Sequence, residues 1–443
     1  MKSSNYNLLY TRENGDRIAY NTYSGVISRI NNDFENILNC LGDGPTLNID
    51  PSLNNLTEQM KKVGYIVDDC EEFEKINHLS HKQRFDSRKI KIVIAPTLEC
   101  NFGCPYCYET PRKGYMTKEI MDKIYSFVIN RIESYKIEGV SVVWYGGEPL
   151  LYPEIIGYLS SKLIKYCKEY KIAYNASIIT NGFLINSEII SLMKNAFISF
   201  AQITIDGIET VHNSRRFLLR PSDSNGTFKT IINNINLLTN EKIRVGIRVN
   251  IDSGNKNIIN DLVDKLDTLL YNKEYIGIYL GHIFDDKSND ECSNCACISK
   301  ELFADLKIDL INRLHSTGFH NIAKKNIPKT RLNYCSATFL NSFVFSPIGK
   351  MFKCWNEICE DEKSFADIND LDILDNDKLE FKMSKWITYD FSDNIECQDC
   401  KFSPICAGGC PKERINNKNS VNCEDIKYNA ERLINFLIDN KIE

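Results

Sequence analysis

Two hydrophobic periods alternate along most of this chain. Short apolar runs rich in β-branched residues recur at Ile90–Ala95, Val140–Tyr145, Ile172–Ile179, Ile198–Ile205, Ile243–Ile251 and Tyr275–Leu280. Between them, Lys118–Tyr135, Glu154–Tyr170, Ser187–Ala196, Thr227–Leu238 and Lys256–Leu270 carry apolar residues at helical spacing. Six such β–α units predict an α/β fold, a parallel barrel whose site lies at the C-terminal ends of the strands. Residues 1–85 read differently. Tyr6–Tyr10 and Arg17–Asn21 flank Glu13-Asn-Gly-Asp16, a hairpin signal with Asn-Gly at its turn. Helical spacing follows over Asn31–Leu41 and Leu53–Val63, then a short strand over Gly64–Asp68, and a charged helix or linker from Asp69 to Lys91. Hairpin, helices and strand predict a small winged-helix-like module.

Composition narrows the function. With 443 residues, 43% hydrophobic and 26% charged, the chain suits an ordinary multidomain globular protein. A net charge of −5 and pI near 5.9 argue against a nucleic-acid partner. No apolar run reaches membrane-spanning length, and Met1–Asn7 lacks the apolar core of a signal peptide, so a cytoplasmic location is expected. In that reducing compartment the 17 cysteines read as metal ligands rather than disulfides. The six histidines form no H-E-x-x-H, which leaves a zinc protease without support.

The candidate chemistry begins after the first barrel strand, at Cys100-Asn-Phe-Gly-Cys104-Pro-Tyr-Cys107. Three thiolates on one tight loop can ligate three irons of a cubane cluster and leave the fourth open to a small molecule. A zinc loop is the alternative for the triad alone. The spacing C-x3-C-x2-C, with the aromatic Tyr106 before the last cysteine, resembles the radical S-adenosylmethionine (radical SAM) superfamily. That resemblance implies a partial (β/α)6 barrel, a [4Fe–4S] cluster on Cys100, Cys104 and Cys107, and reductive cleavage of SAM to a 5′-deoxyadenosyl radical. It also implies SAM contacts from Gly146, Gly147, Glu148 and Pro149, which match the family's GGEP motif, and from Thr180, Thr204 and Arg216. Glycines permit close backbone approach, Glu148 suits an ammonium group and Arg216 a carboxylate. Thr180 and Asp206 also suit plain loop capping. No residue is assigned as catalytic.

The last quarter carries a second pattern. Cys335 is followed by Gly349 and Cys354, then by Cys397-x2-Cys400-x5-Cys406-x3-Cys410 and Cys423. This resembles the seven-cysteine SPASM domain, which implies two auxiliary [4Fe–4S] clusters, three clusters in all. By that resemblance Cys397, Cys400, Cys406 and Cys423 close one, and Cys335, Cys354 and Cys410 serve the other, one thiolate short. Phe339 and Asn341 stand where relatives supply a further cysteine, so Cys359 or one of Cys292, Cys295 and Cys297 is expected there, or an open iron. Trp355 stands where sulfatase maturases carry a catalytic aspartate. Cys40, Cys70 and Cys167 read as small hydrophobes.

The expected organisation is thus a module over 1–85 similar to the leader-binding (RiPP recognition) domains, a radical SAM barrel over 86–285, a bridging segment over 286–330 and a SPASM domain over 331–443. The function implied is a peptide maturase of sactipeptide or ranthipeptide type. It would crosslink a ribosomally synthesised precursor peptide through a cysteine thioether, with its leader on the N-terminal module and flavodoxin or ferredoxin as reductant. Carbon–carbon crosslinking, formylglycine formation by a sulfatase-maturing enzyme, and a non-catalytic iron–sulfur peptide-binding or electron-transfer protein are the alternatives.

Overall fold

The computed structural model describes residues 1–41, 49–68, 71–220, 226–283, 297–319, 328–370, 374–417 and 423–442. They divide into two compact units. One draws on Met1–Phe85, Lys324–Ser336 and Thr388–Glu443, the other on Asp86–Ala323 and Ala337–Ile387.

The second unit is built on six parallel strands: β1 (Lys89–Ile94), β2 (Gly139–Trp144), β3 (Ala173–Thr180), β4 (Ile198–Thr204), β5 (Arg244–Ile251) and β6 (Ile276–His282). Their spatial order is their chain order, 6-5-4-3-2-1. Helices α1 (Lys118–Tyr135), α2 (Pro153–Glu169), α3 (Ser187–Asn195), α4 (Glu209–Arg215), α5 (Phe228–Asn240) and α6 (Ile259–Leu269) connect them. The strands and the long helices lie within a few residues of the sequence expectation. Local signals explain the helix starts: the side chains of Thr117 and Asn186 accept from Ile120 and Ile189 backbone N–H groups, and Pro153 occupies the first turn of α2.

One face of each strand is sealed by these helices. Ile90, Ile92, Ile94, Val140, Val142 and Trp144 belong to that buried core, as do Val245, Ile247 and Val249 of β5. Each buried aliphatic side chain contributes about 1.5–3 kcal/mol, so this face fixes the register of the sheet. The alternate residues face inward and are only partly apolar.

The sheet continues past β1. Ser342–Phe345 adds a parallel strand, with Val344 opposite Val93, and Lys350–Phe352 and Ala366–Asp367 follow antiparallel. Neither these strands nor the helix Lys300–His315 was expected from the sequence.

In the first unit, Asn7–Thr11, Arg17–Asn21 and Ile27–Arg29 form an antiparallel sheet, with Leu9 opposite Ala19. Ala19 packs with Phe34, Ile37, Met60 and Tyr65 on one face. Ile18 and Tyr20, on the other face, pack against Ile405, Ala430 and Ile434, the last two from the terminal helix Ile426–Asp439. The two ends of the chain thus share one core within this unit.

Candidate active site

The residues expected to hold SAM and its cluster lie at the C-terminal ends of β1 to β4 or in the segments that follow them. After β1 the chain enters a long loop that closes on itself. Thr97 Oγ1 accepts from Glu99 N at 2.9 Å and donates to Gly114 O at 2.6 Å, and Glu99 Oε1 accepts from Gly114 N at 2.7 Å. Its cysteine-bearing tip is clamped from outside. Phe102 pairs with Leu218, Gly103 N donates to Phe217 O and Leu219 N donates to Asn101 O, each at 2.9 Å.

Cys100, Cys104 and Cys107 lie on this tip, the first two half-buried and the third exposed. Phe102 N points at Cys100 Sγ at 3.4 Å. Burial, then neighbouring negative charge, pushes the thiols of Cys100 and Cys107 up to about 12 and about 11; burial raises Cys104 as well, against the lowering effect of Arg216. Cys107 and Cys104 both act on Cys100, so the three sulfurs share one neighbourhood. Among the described residues no three acidic, histidine or cysteine side chains are gathered on one point as for a single ion.

Gly146 and Gly147 follow β2. A Cβ on Gly146 would stand 2.3 Å from Thr97 O, and one on Gly147 would stand 2.2 Å from Glu99 O. The close approach read from the sequence as room for a ligand is therefore filled by the chain's own cysteine loop. Glu148 N donates to Glu99 O at 2.8 Å across this contact. Pro149 opens the 3-10 turn that follows. Glu148 is fully buried, and burial raises its carboxyl above the usual range, against three donors: Thr180 Oγ1 and Asn181 N at 2.7 Å and Leu150 N at 3.0 Å. Thr180, at the end of β3, thus spends its hydroxyl on orienting Glu148. Asn181 Nδ2 donates to Asn101 Oδ1 at 2.7 Å and ties that strand end to the cysteine loop.

Tyr106 turns its hydroxyl into a buried ionic cluster. It donates to Asp206 Oδ2 and accepts from Arg216 Nη1 at 2.7 Å. Asp206, fully buried, also accepts from Asn250 N at 3.1 Å, so the residue that suited loop capping instead joins the cysteine loop to β5. Arg215 lies 4.9 Å over the Tyr106 ring and donates to Asp252 at 2.8 Å. Among the described residues Arg216 Nε and Arg215 Nη2 are buried without hydrogen-bond partners. Thr204 ends β4, half-buried.

Several neighbours escaped the sequence reading. Asn101, Asn181 and Arg215 had no motif to mark them. Glu109 is buried two residues past Cys107; burial alone pushes its carboxyl up to about 7, and its Oε2 has no partner among the described residues. Cys354 and Cys359 both act on the buried Tyr145 at the end of β2, and Cys359 Sγ lies 3.9 Å from Thr110 O.

In the first unit Cys397 is influenced by Cys400 and Cys423, and Cys406 by Cys423 and Cys397, so these four thiols stand together. Arg414 Nη2 reaches Cys397 Sγ at 3.8 Å and Lys427 Nζ reaches Cys423 Sγ at 3.6 Å. Between Cys406 and Cys410, Ala407, Gly408 and Gly409 are all left-handed. Cys335 acts on Cys410, which precedes Pro411 and a short helix. Cys40 is half-buried and Cys167 fully buried in α2. Cys70, Cys292 and Cys295 lie outside the described residues; Cys297 lies within them and is disulfide-bonded, which departs from the reading of the cysteines as metal ligands rather than disulfides.

The chain has informative relatives. The cysteine-type anaerobic sulfatase-maturating enzyme of Clostridium novyi (strain NT) is 22% identical over 393 residues, covering 79% of this chain and 96% of that one. The sporulation killing factor maturation protein SkfB of Bacillus subtilis (strain 168) is 24% identical over 181 residues, 40% of this chain and 39% of SkfB. Among solved structures, anSMEcpe with bound AdoMet and Cp18Cys peptide superposes with a TM-score of 0.61 at 19% identity, covering 80% of this chain and 100% of that one. SuiB of Streptococcus suis gives 0.52 at 14% identity, covering 95% and 97%. At these identities the structures establish the fold. The sequence model of the radical SAM superfamily matches residues 94–268, which contain the cysteine loop and the ends of β2 to β5. Residues 94–268 are therefore a radical SAM domain, and the chain is a radical SAM superfamily enzyme.

Proposed function

We propose that this enzyme matures a ribosomally synthesised precursor peptide by oxidative crosslinking, through a thioether from a substrate cysteine. The observation that carries the reading is the reach of the similarity to SuiB. It extends over 95% of this chain, whereas that to anSMEcpe extends over 80%, and SuiB has also been solved bound to precursor peptide SuiA. The N-terminal three-stranded sheet is the proposed leader site, where an extended peptide would add along a strand edge. Trp355 supports the same choice, because an indole cannot take the proton that formylglycine formation releases. The sulfatase-maturing alternative retains the support of the Clostridium novyi relative, nearly all of which aligns.

The residues at the strand ends suit SAM and a [4Fe–4S] cluster. Cys100, Cys104 and Cys107 would hold the cluster, and iron would replace the protons that burial otherwise keeps on these thiols. Together the two groups supply one-electron cleavage of SAM and hydrogen-atom abstraction. Glu148 is a buried acceptor for the SAM ammonium group, held in orientation by Thr180 and Asn181. Arg216 Nε is a donor in reserve for the carboxylate. Gly146, Gly147 and Pro149 hold the turn that presents Glu148, while Tyr106 and Thr204 border the same space. The seven-cysteine pattern supports two auxiliary clusters. For the set Cys397, Cys400, Cys406 and Cys423, the cations of Arg414 and Lys427 lie 3.8 and 3.6 Å from two of the sulfurs, which suits the negative charge of a thiolate-held cluster. Flavodoxin or ferredoxin is the proposed electron source, in a cytoplasmic setting; among the described residues no helix is long and apolar enough to cross a membrane.

The test is tandem mass spectrometry of a short peptide encoded beside this gene, co-expressed anaerobically with the wild type or Cys104→Ala. A wild-type-only loss of two hydrogens per crosslink, with fragments joined through sulfur, is the expected result. Crosslinked fragments without sulfur would replace the thioether by a carbon–carbon bond. An unmodified peptide, with a sulfatase-type peptide converted to formylglycine, would overturn the maturase reading.

A further inference from the structure

The inward faces of the parallel strands hold a cation, Arg248, that is not among the residues assigned to SAM above. On β5, Val245, Ile247 and Val249 face the helices, so Gly246, Arg248 and Asn250 face inward. Arg248 lies opposite Thr204 of β4 and Tyr279 of β6. Its charge acts on Tyr279 and also on Tyr145, just past the end of β2 and several strands away, which sets the guanidinium across the interior.

The seat of this side chain is built. Its Nε donates to Asn250 Oδ1 at 2.8 Å. A Cβ on Gly281 would stand 2.4 Å from that Nε and 2.8 Å from Nη2, so the guanidinium packs directly over the bare backbone of Gly281 on β6. Beside it, Tyr279 OH donates to Gln202 Oε1 at 2.5 Å. Arg248 is half-buried and Tyr279 is 37% exposed, so the interior here remains open.

Arg248 has one side-chain hydrogen bond and no ion pair among the described residues. The nearby carboxylates are committed elsewhere: Asp206 to Tyr106, and Asp252 to Arg215. Across the interior Trp355 stacks on Tyr145, ring centroids 5.7 Å apart, and Lys91 Nζ lies 6.0 Å from the Trp355 ring. The open interior is therefore an aromatic shelf facing a fixed guanidinium, with a second cation at its edge. A planar fork of donors with empty positions suits a carboxylate, which it can hold with two parallel hydrogen bonds.

We propose that Arg248 anchors a carboxylate of the peptide segment admitted to the barrel, so that this enzyme selects an acidic residue, or a chain terminus, near the position it modifies. The proposal rests on the peptide-substrate reading above, yet it concerns binding and can fail independently of any modification.

The test is an NMR titration of the anaerobically reconstituted enzyme, with SAM present, by three probes. These are acetyl-Ala-Asp-Ala-amide, acetyl-Ala-Asn-Ala-amide and acetyl-Ala-Asn-Ala with a free C-terminal carboxylate. Wild type is expected to bind at least one carboxylate probe about tenfold tighter than the neutral one, and the pattern tells side chain from terminus. Arg248→Gln should cut that preference below about twofold, while Arg248→Lys keeps part of it. Arg248→Glu should instead favour acetyl-Ala-Lys-Ala-amide, a gain that a merely structural arginine would not yield. Equal wild-type binding of all three probes overturns the proposal. So does a preference that survives in Arg248→Gln, or a loss confined to SAM affinity. Failure of the maturase reading would appear separately, as an unmodified precursor with this binding preference intact.

Discussion

Gly147→Ala tests whether the cysteine loop is held by close backbone packing. A methyl group at residue 147 would stand 2.2 Å from Glu99 O, 2.6 Å from Glu99 C and 2.8 Å from Leu98 O. Ordinary contact begins near 3.4 Å, so the two backbones must part by about 1 Å. No flexible side chain is present to give way, because all three obstructing atoms belong to the main chain. Two hydrogen bonds cross the contact, Glu148 N to Glu99 O at 2.8 Å and Gly147 N to Thr97 O at 3.2 Å. Losing both costs about 1 kcal/mol each, and the overpacking adds about 1–3 kcal/mol. The expected destabilisation of the barrel is thus about 3–5 kcal/mol. Cys100 follows Glu99 directly, and a shift of about 1 Å at a reacting centre costs on the order of 100-fold in rate. The assays are the urea midpoint of the reconstituted protein, iron per chain, and kcat/KM for SAM cleavage. Gly139→Ala is the control, because its Cβ meets nothing closer than Lys89 Cγ at 3.6 Å, and it should stay within about 0.5 kcal/mol of wild type. A Gly147→Ala protein with the wild-type midpoint, iron content and SAM cleavage would refute the reasoning.

His212 is fully buried, and burial first, then Arg216, holds its pKa well below the usual histidine range. Below about pH 6.5 the unfolded chain binds a proton that the folded chain refuses, so stability should fall by up to about 2 kcal/mol between pH 7 and pH 5. His212→Gln should flatten that slope in urea melts at the two pH values. Asn341→Leu removes the acceptor that Arg131, fully buried, reaches at 3.1 and 2.6 Å; a loss of about 2–4 kcal/mol is expected in the same melts, with Asn341→Asp tolerated. Asp206→Asn should loosen Tyr106 without removing a thiolate, seen as full iron content, an altered electron paramagnetic resonance spectrum of the SAM-bound cluster and about tenfold slower cleavage. Cys406→Ala should lose about four of roughly twelve irons; iron content equal to wild type would remove the auxiliary cluster from that position.

The barrel strands were legible because each is an apolar run long enough to seal one face, and the helices between them keep helical spacing. The strand Ser342–Phe345 was not, since three apolar residues after a serine become a strand only through pairing with β1, about 250 positions earlier. The same limit governs the site. The cysteine loop and Gly146–Pro149 announce themselves by composition, but what the glycines admit depends on Glu99 O, which no local pattern reveals. Tyr106 and Asp206 meet across 100 positions, and Arg248 reads in sequence as one more polar residue alternating along a strand. In the first unit, Ile18 and Ile434 share a core that joins the two ends of the chain, a pairing hidden from any window of sequence. What links these cases is the topology of a parallel sheet in chain order. Every loop that leaves a C-terminal strand end opens on the same side, so Cys100 after β1, Glu148 after β2, Asn181 after β3 and Asp206 after β4 become neighbours once the order is known. Sequence identifies the chemistry of each segment, and the order of the strands decides which of those segments act on one another.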